Sequence, residues 1–375
     1  MIRVVETFFP VCVGFLCACT GQESVRSGGE VAAADSIVVY VDPTVEMVST
    51  VYRLADLPPF NTQALPSYID EIEEYFRPFR DHRAVGVIRD LWRNHGINGS
   101  APMALAVYLT WPSLDGKVPI PPLPGDLDSR WTPETVSAFR DALRAFAEDT
   151  RYAEFYASQE DYFDRSVLNL RSCLEDHPII PWLKDYFGQE PEHYVIVVGM
   201  QIGNGNYGLS TTLQDGSKEF ISVIGATSPS RFRKIPQFSR WSFVPTVVHE
   251  FAHSFVNPVV DSNEDLLRDV TERLYPYHRE RLSPQGYLTW RTLSYEYLVR
   301  ATVIRYLENQ GSLRDARRRV GVDEGQGFTG ITLLSEAFEE YESNRELYPT
   351  LDAFIPRVVE CFEEILLELE ESSRS

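Results

Sequence analysis

The residues in this sequence with the clearest capacity for chemistry are His249, Glu250 and His253. On a helix, residues four apart lie one above the other, so the two imidazoles can bind the same zinc ion. Glu250 is rotated by about 100° from His249, which keeps its carboxylate out of the metal shell but near a water that the metal activates. There it would accept the proton of that water as a general base.

The residues around this pattern predict a buried helix. Pro245 suits the first helical position and Asn257-Pro258 suits a stop, so we expect the helix to run between them. Residues 246–255 include no charged side chain except Glu250, as expected for a helix beneath a cleft. The alternative is a buried helix whose two histidines make ordinary hydrogen bonds. Burying these polar groups without a metal would be costly, which favours the zinc site.

A catalytic zinc ion needs a third protein ligand and leaves its fourth position for water. Glu296 lies on an apolar helix stripe, where an ionised carboxylate requires a partner, and we predict that it is this ligand. The alternatives are Glu272, in a charged segment typical of a solvated helix face, His278, and an aspartate within 261–269. Arg300, one turn after Glu296, would orient that carboxylate or form a plain intrahelical ion pair with it.

Residues 249–258 and 295–301 together resemble the gluzincins, the thermolysin-like clan of zinc metallopeptidases. The resemblance implies one zinc ion bound by His249, His253 and Glu296, the motif glutamate as base, and a peptide or protein as substrate. Unlike the thermolysin pattern, this sequence has an arginine instead of an acidic residue one turn after the third ligand, and a longer gap before that ligand.

The same segments, together with residues 52–55, also look similar to a group of bacterial lipoproteins catalogued only as a domain of unknown function. This narrower resemblance extends over most of the chain after residue 37. It implies the same metal ligands and adds no substrate.

Residues 203–208 match G-x-G-x-x-G after a strand, but a turn and another strand follow where a nucleotide site requires a helix. We therefore interpret the segment as a glycine-rich turn. Because zincins bind an extended substrate along the edge strand at this place, residues 203–224, with Asn206 and Tyr207, are expected to border the cleft. A plain hairpin without substrate contact is the alternative.

Short buried strands and a series of amphipathic helices must position these groups. Strands are predicted at 37–41, 194–198 and 219–224, the last two as a hairpin-like pair. Helices are predicted at 43–54, 68–79, 84–94, 133–148 and 153–175, and from Pro245 almost to the end of the chain. The predicted fold class is α+β and predominantly α-helical, a zincin-like metallopeptidase domain with a small sheet packed beside the zinc helix.

The start of the chain predicts export. Residues 1–18 contain Arg3 and an apolar run too short to span a membrane, which is typical of a signal peptide. A small residue precedes Cys19 as in a bacterial lipobox, which predicts lipidation of this cysteine, and residues 19–36 have the composition of a flexible tether. We therefore expect an exported protein, lipid-anchored in the bacterial cell envelope. An ordinary signal peptide cut nearby is the alternative.

Composition limits the partners. We expect a mostly helical part at 37–180 and a zincin-like catalytic part at 181–375, or one continuous domain over both. The formal charge of −20, with only two short basic stretches, argues against nucleic acid as a partner. Cys173 and Cys361 would either pair in an oxidising compartment or remain two separate buried thiols.

The predicted function is zinc-dependent hydrolysis of amide bonds, with Glu250 as the base. One alternative is an envelope lipoprotein with a zincin fold that acts as a binding or assembly module without catalysis. Another is a zinc hydrolase with a substrate other than a peptide. The intact Glu250 argues against the binding module, which has little need for a general base.

Overall fold

A computed structural model describes residues 37–189, 193–228 and 235–374 of the protein. The predicted signal peptide at 1–18, the lipidation site Cys19 and the tether at 19–36 lie outside the described residues. Within them the fold is α+β and predominantly helical, with a small mixed sheet, as the sequence predicts. None of the described helices is long and apolar enough to cross a membrane.

The strands and helices are numbered in chain order. The strands are β1 (Ile37–Tyr40), β2 (Leu109–Thr110), β3 (Asp115–Gly116), β4 (His193–Gly199), β5 (Asn206–Thr212) and β6 (Lys218–Gly225). The helices are α1 (Pro43–Leu54), α2 (Pro66–Phe76), α3 (Arg83–His95), α4 (Ala101–Tyr108), α5 (Pro133–Asp149), α6 (Tyr152–Ser158), α7 (Glu160–Leu174), α8 (Ile179–Phe187), α9 (Arg240–Ser262), α10 (Glu264–Leu282), α11 (Trp290–Asn309), α12 (Leu313–Gln326), α13 (Ile331–Ser343) and α14 (Leu351–Arg374).

The main sheet has four strands in the order β1-β4-β6-β5. Its first three strands are parallel, and β5 joins antiparallel to β6 at one edge. The predicted hairpin of 194–198 with 219–224 is therefore wrong, because these two strands are parallel neighbours. The hairpin partner of β6 is β5, which lies at a half-exposed edge and so lacks the dense apolar pattern of a buried strand.

Helix α1 coincides with the predicted helix at 43–54 and lies in the core. Asp42 caps it by accepting hydrogen bonds from the main-chain N–H groups of Thr44 and Val45, and Pro43 takes the first helical position. The predicted helix at 153–175 is divided at Gln159 into α6 and α7. Helix α4 was not predicted, because it is apolar on nearly every side and shows no helical period.

The predicted ends of the motif helix are wrong. Helix α9 begins at Arg240, passes through both Pro245 and Pro258, and ends at Ser262. Each proline removes one main-chain hydrogen bond from the helix. Burial of the apolar face that includes Phe251 and Phe255 outweighs this loss, because packing contributes most of the stability of a helix in a protein.

Cys173 and Cys361 are both free and buried. Of the two interpretations of these cysteines, the structure therefore has two separate thiols. The Cys173 thiol donates to the main-chain oxygen of Phe238 at 3.3 Å, which joins α7 to the segment before α9.

A buried polar network joins α1 to the end of β4. The Glu46 side chain is completely buried, and its carboxylate accepts from the main-chain N–H of Met200 (2.8 Å), the hydroxyl of Tyr68 (2.9 Å) and the side-chain amide of Gln201 (3.1 Å). Burial raises the pKa of Glu46 from 4.5 to about 7, in spite of these donors. The network fixes the helix against the strand that leads into the glycine-rich turn.

We predict that the free energy of unfolding falls as the pH rises through the interval from about 4.5 to about 7. The unfolded protein loses the Glu46 proton near pH 4.5, whereas the folded protein keeps it until about pH 7. Between these values deprotonation favours the unfolded state, so the stabilisation present at low pH is lost. The shift corresponds to about 3 kcal/mol. Urea unfolding should show that the free energy of unfolding of Glu46→Gln, relative to that of wild type, rises by about 3 kcal/mol between pH 4.5 and pH 7. A parallel pH dependence in the two proteins would contradict this assignment.

Candidate metal centre

Helices α9 and α11 bring three of the predicted ligands together. Nε2 of His253 lies 3.3 Å from Nε2 of His249 and 3.3 Å from Oε1 of Glu296, and Oε2 of Glu296 lies 3.7 Å from Nε2 of His249. One ligand atom from each residue lies within 4.8 Å of the other two. His249 and His253 are one turn apart on α9, and Glu296 faces them from α11, so the cluster depends on the packing of the two helices.

The donor atoms of this cluster suit a metal ion. Nδ1–H of His253 donates to Oδ1 of Asn257 at 3.1 Å, which leaves the lone pair of Nε2 directed at the centre. Nδ1 of His249 is buried and has no hydrogen-bond partner among the described residues. Two imidazole nitrogens and a carboxylate oxygen thus converge in a largely buried space, an arrangement that suits a shared cation. His249, His253 and Glu296 could therefore hold a metal ion.

The pKa values of the three residues also suit a bound cation. Burial acts to raise the pKa of Glu296, but Arg300 and then the two histidines outweigh it and hold the pKa below its ordinary range. Burial lowers the pKa of His249 well below its ordinary value. For His253, the hydrogen bond and charge of Glu296 outweigh burial and raise the pKa to about 9. Glu296 thus stabilises a positive charge on its histidine side, where a metal ion would replace the proton.

Glu250 lies beside the cluster and is not one of its members. Its side chain is buried, and the main-chain N–H of Gly208 on β5 lies near enough to its carboxylate to act to lower the pKa. Burial raises the pKa of Glu250 to about 7. The pKa of Tyr207 is raised to about 12, first by burial and then by the negative charge of Glu250. A carboxyl with a pKa near 7 is suited to accept and release a proton at neutral pH.

Strand β5 packs directly on α9 at Gly208. A side-chain carbon at this glycine would lie 2.1 Å from the main-chain oxygen of Glu250 and 2.8 Å from Cβ of His253. The hydroxyl of Ser254 donates to the main-chain oxygen of Leu209 at 3.2 Å. The absence of a side chain at Gly208 therefore sets the distance between the edge strand and the motif helix.

Arg300 contacts the predicted third ligand, as expected. Its Nε and Nη2 atoms each lie 3.0 Å from Oε2 of Glu296. Its Nη1 donates to Asp323, and its Nη2 donates to the hydroxyl of Tyr287 at 3.3 Å. Burial, followed by the charge of the nearby Glu296, raises the pKa of Tyr287 to about 12.

The other candidates for the third ligand lie elsewhere. Glu272 is exposed and pairs loosely with Arg268 at 3.9 Å. Both ring nitrogens of His278 are occupied, Nδ1 by the main-chain oxygen of Gly327 at 2.7 Å and Nε2 by the hydroxyl of Tyr297 at 3.2 Å. Within 261–269, Asp261 pairs with Arg291 and Tyr295, and no aspartate belongs to the cluster found among the described residues.

The glycine-rich segment forms the turn into β5. Gly203 has a positive φ of 60°, a conformation that favours glycine. Oδ1 of Asn206 accepts from the main-chain N–H of Gly225 at 3.1 Å, and its amide group donates to the main-chain oxygen of Asn204 at 3.3 Å. Asn206 therefore stabilises the start of the β5–β6 pair, and its described hydrogen bonds do not reach the metal cluster. Tyr207, by contrast, lies within the electrostatic reach of Glu250.

Three residues of the centre were not identified from the sequence: Gly208, Tyr287 and Asp323. Gly208 was noted only as part of the glycine pattern, and its proximity to Glu250 depends on the sheet order. Asp323 follows Arg319 by four residues, a spacing typical of a helical ion pair, but this spacing does not show that Asp323 reaches Arg300 on another helix. Nothing in the local sequence marks Tyr287.

A family described as Domain of unknown function (DUF4932) matches residues 37–361. This chain belongs to that family. The matched segment contains α9 and α11, so the whole metal cluster lies within the family's domain. No curated protein and no solved structure matches the chain.

We predict that Gly208→Ala lowers the free energy of unfolding by about 1–3 kcal/mol and weakens metal binding, because the new methyl group forces β5 away from α9. Denaturant unfolding and metal titration would measure the two effects. Gly86→Ala is the matched control, because nothing lies within 4 Å of the added carbon on α3, and it should gain about 0.5–1 kcal/mol. Equal behaviour of the two variants would contradict the prediction.

Proposed function

We propose that this protein is a zinc-dependent hydrolase that cleaves amide bonds, a metallopeptidase of the gluzincin type with a zincin-like fold. One observation carries the proposal: three convergent donors, His249, His253 and Glu296, lie beside a fourth buried group, Glu250, that is not part of their cluster. This separation provides ligands on one side and a proton acceptor on the other.

Zinc is the metal that this donor set supports when a glutamate follows the first histidine on the same helix, as Glu250 does. Two imidazoles and one carboxylate form a three-ligand set that recurs in catalytic zinc sites, which keep one position open. Zinc bound by these residues would supply a Lewis acid that polarises the amide carbonyl and activates a water for attack. His253 is oriented for its role by Asn257, and Glu296 by Arg300.

Glu250 would accept the proton of the attacking water. Burial raises its pKa to about 7, which makes it a stronger base than an exposed carboxylate. Protonated Glu250 could then pass its proton to the leaving amine, which completes the cleavage of the amide bond with the base regenerated.

The two edges of the main sheet support an extended peptide as the substrate. At the β1 edge, the main-chain oxygens of Val39 and Val41 accept from the side chains of Arg171 (3.4 Å) and Tyr156 (2.7 Å). These contacts block the addition of another strand. At the opposite edge, α9 contacts β5 at Gly208 and Leu209, and an extended chain paired with the part of β5 beyond these contacts would pass the metal cluster.

We propose that the enzyme acts outside the cytoplasm. The apolar run before Cys19 and the tether after it support export and a lipid anchor in the bacterial cell envelope. The catalytic body would then act on peptides or proteins near the membrane to which it is attached.

Metal analysis of purified protein tests the ligands. Wild type should hold about one zinc ion per chain, and His249→Ala and Glu296→Ala should each lose it, because a catalytic site has only three protein ligands. Glu272→Ala is the control, since this exposed glutamate lies outside the cluster, and it should retain the metal. Zinc retained in full by Glu296→Ala would disprove the assignment of the third ligand.

Activity against a broad peptide library tests the base. Glu250→Gln should bind zinc as wild type does and lose turnover by a factor of about 10² or more, because the carboxylate acts only in proton transfer. Unchanged turnover in this variant would end the role of Glu250 as the base. A zinc-loaded wild type without turnover would favour the binding or assembly module instead.

A further inference from the structure

Arg300 contacts the two oxygens of Glu296 unequally. Its Nε and Nη2 atoms both lie 3.0 Å from Oε2. Oε1 lies 3.3 Å from Nε2 of His253, whereas Oε2 is 3.7 Å from Nε2 of His249. One carboxylate oxygen is therefore committed to the guanidinium group, and the other is the one directed at the nearer histidine.

Helix α12 and the residues after it hold this arginine in place. Nη1 of Arg300 donates to Asp323 and, at 2.7 Å, to Oε1 of Gln326. The centre of the Phe328 ring lies 4.1 Å from the guanidinium carbon, a cation–π contact. Rotation of Arg300 away from Glu296 would break all of these contacts, so its orientation is set from outside its own helix.

Asp323 is the buried anchor of this arrangement. It is completely buried, one of its oxygens accepts from Arg300, and the other accepts from Nε of Arg319 at 2.7 Å. A helical ion pair between Glu296 and Arg300 would form without a second carboxylate. Burying the carboxylate of Asp323 costs free energy. The Glu296–Arg300 pair does not by itself account for a second buried carboxylate on the far side of Arg300.

We propose that Asp323 is a positioning residue for the metal centre. It holds Arg300 so that the guanidinium occupies Oε2 of Glu296 and only Oε1 is left to bind the metal. A carboxylate that binds through one oxygen leaves more room for water and substrate at the metal. This inference rests on the proposed metal site.

Metal affinity measured by competition with a chelator tests the inference. Asp323→Asn keeps the size of the side chain and removes its charge, so Arg300 is released and the affinity for zinc should fall by about 10- to 100-fold. Glu342→Gln is a matched control, because Glu342 on α13 likewise pairs with an arginine of α11. It binds Arg305 through both oxygens, at 2.8 and 2.7 Å, but neither residue belongs to the cluster. This control should bind zinc as tightly as wild type.

A second variant and a spectroscopic measurement cover the case in which Asp323→Asn fails to fold. Gln326 is exposed, so Gln326→Ala removes one contact of Arg300 at little cost in stability and should also weaken zinc binding. The visible bands of bound Co²⁺ weaken as its coordination number rises above four. These bands should weaken in Asp323→Asn and in Gln326→Ala, as far as each variant folds, because the displaced Arg300 leaves Glu296 free to bind through both oxygens.

The outcomes separate this inference from the proposed function. Weaker zinc binding and a changed Co²⁺ spectrum at Asp323 or Gln326, with Glu342→Gln unchanged, would support the positioning role. Folded variants with the affinity and spectrum of wild type would overturn it, as would an equal loss of affinity in the Glu342→Gln control. A wild-type protein that binds neither metal would instead refute the metal site on which the inference depends.

Discussion

The burial of the Glu296 carboxylate between α9 and α11 is the constraint on which the rest of the centre depends. Its side chain is only 8% exposed, and an ionised group in such a place must be compensated by charge and hydrogen bonds. Arg300 provides this on one side, and the two histidines face it on the other. The compensation explains why a helix that packs in the core carries an arginine as well as a glutamate on one face.

Two buried carboxyl groups thereby acquire opposite properties. The pKa of Glu296 is held below its ordinary range, whereas burial raises the pKa of Glu250 to about 7. The difference comes from the partners: the guanidinium of Arg300 contacts Glu296 at 3.0 Å, whereas burial is the largest influence on Glu250. An ionised carboxylate beside a titratable one is the pair of groups that the proposed hydrolysis at a metal requires.

The main sheet contributes to the candidate metal centre mainly by placing the main chain of β5 against α9. Strand β5 approaches α9 closely because Gly208 has no side chain, and this brings the strand against the main chain of Glu250. The Glu46 network ties α1 to the end of β4, just before the turn that leads into β5. The edge strand is thus held between a buried polar network and the motif helix.

The sequence alone identified the candidate chemical groups whose spacing follows the turns of a helix. The spacing of His249 and His253, the neighbouring Glu250 and the apolar stripe around Glu296 follow from helical geometry, and the structure brings both histidines and Glu296 into one cluster. Local patterns also predicted α1 to the residue and α2, α3 and α5 to within three residues, whereas α6 and α7 were predicted as one helix, α4 was not predicted and the predicted ends of α9 were wrong. Membership of a family of unknown function adds no chemistry, so the prediction of zinc rests on these residues.

Only the tertiary structure decided which distant groups complete the centre. The parallel pairing of β4 with β6, the placement of β5 at the edge and the contact of Gly208 with Glu250 depend on sheet order, which no local pattern encodes. The continuation of α9 through two prolines depends on packing that outweighs two lost hydrogen bonds. Asp323 lies 23 residues from Arg300, and a charge on another helix becomes a partner only when the fold buries both. Local spacing predicted the donor residues, whereas the packing of distant elements brings them together and, through desolvation, sets their charge states and orientation.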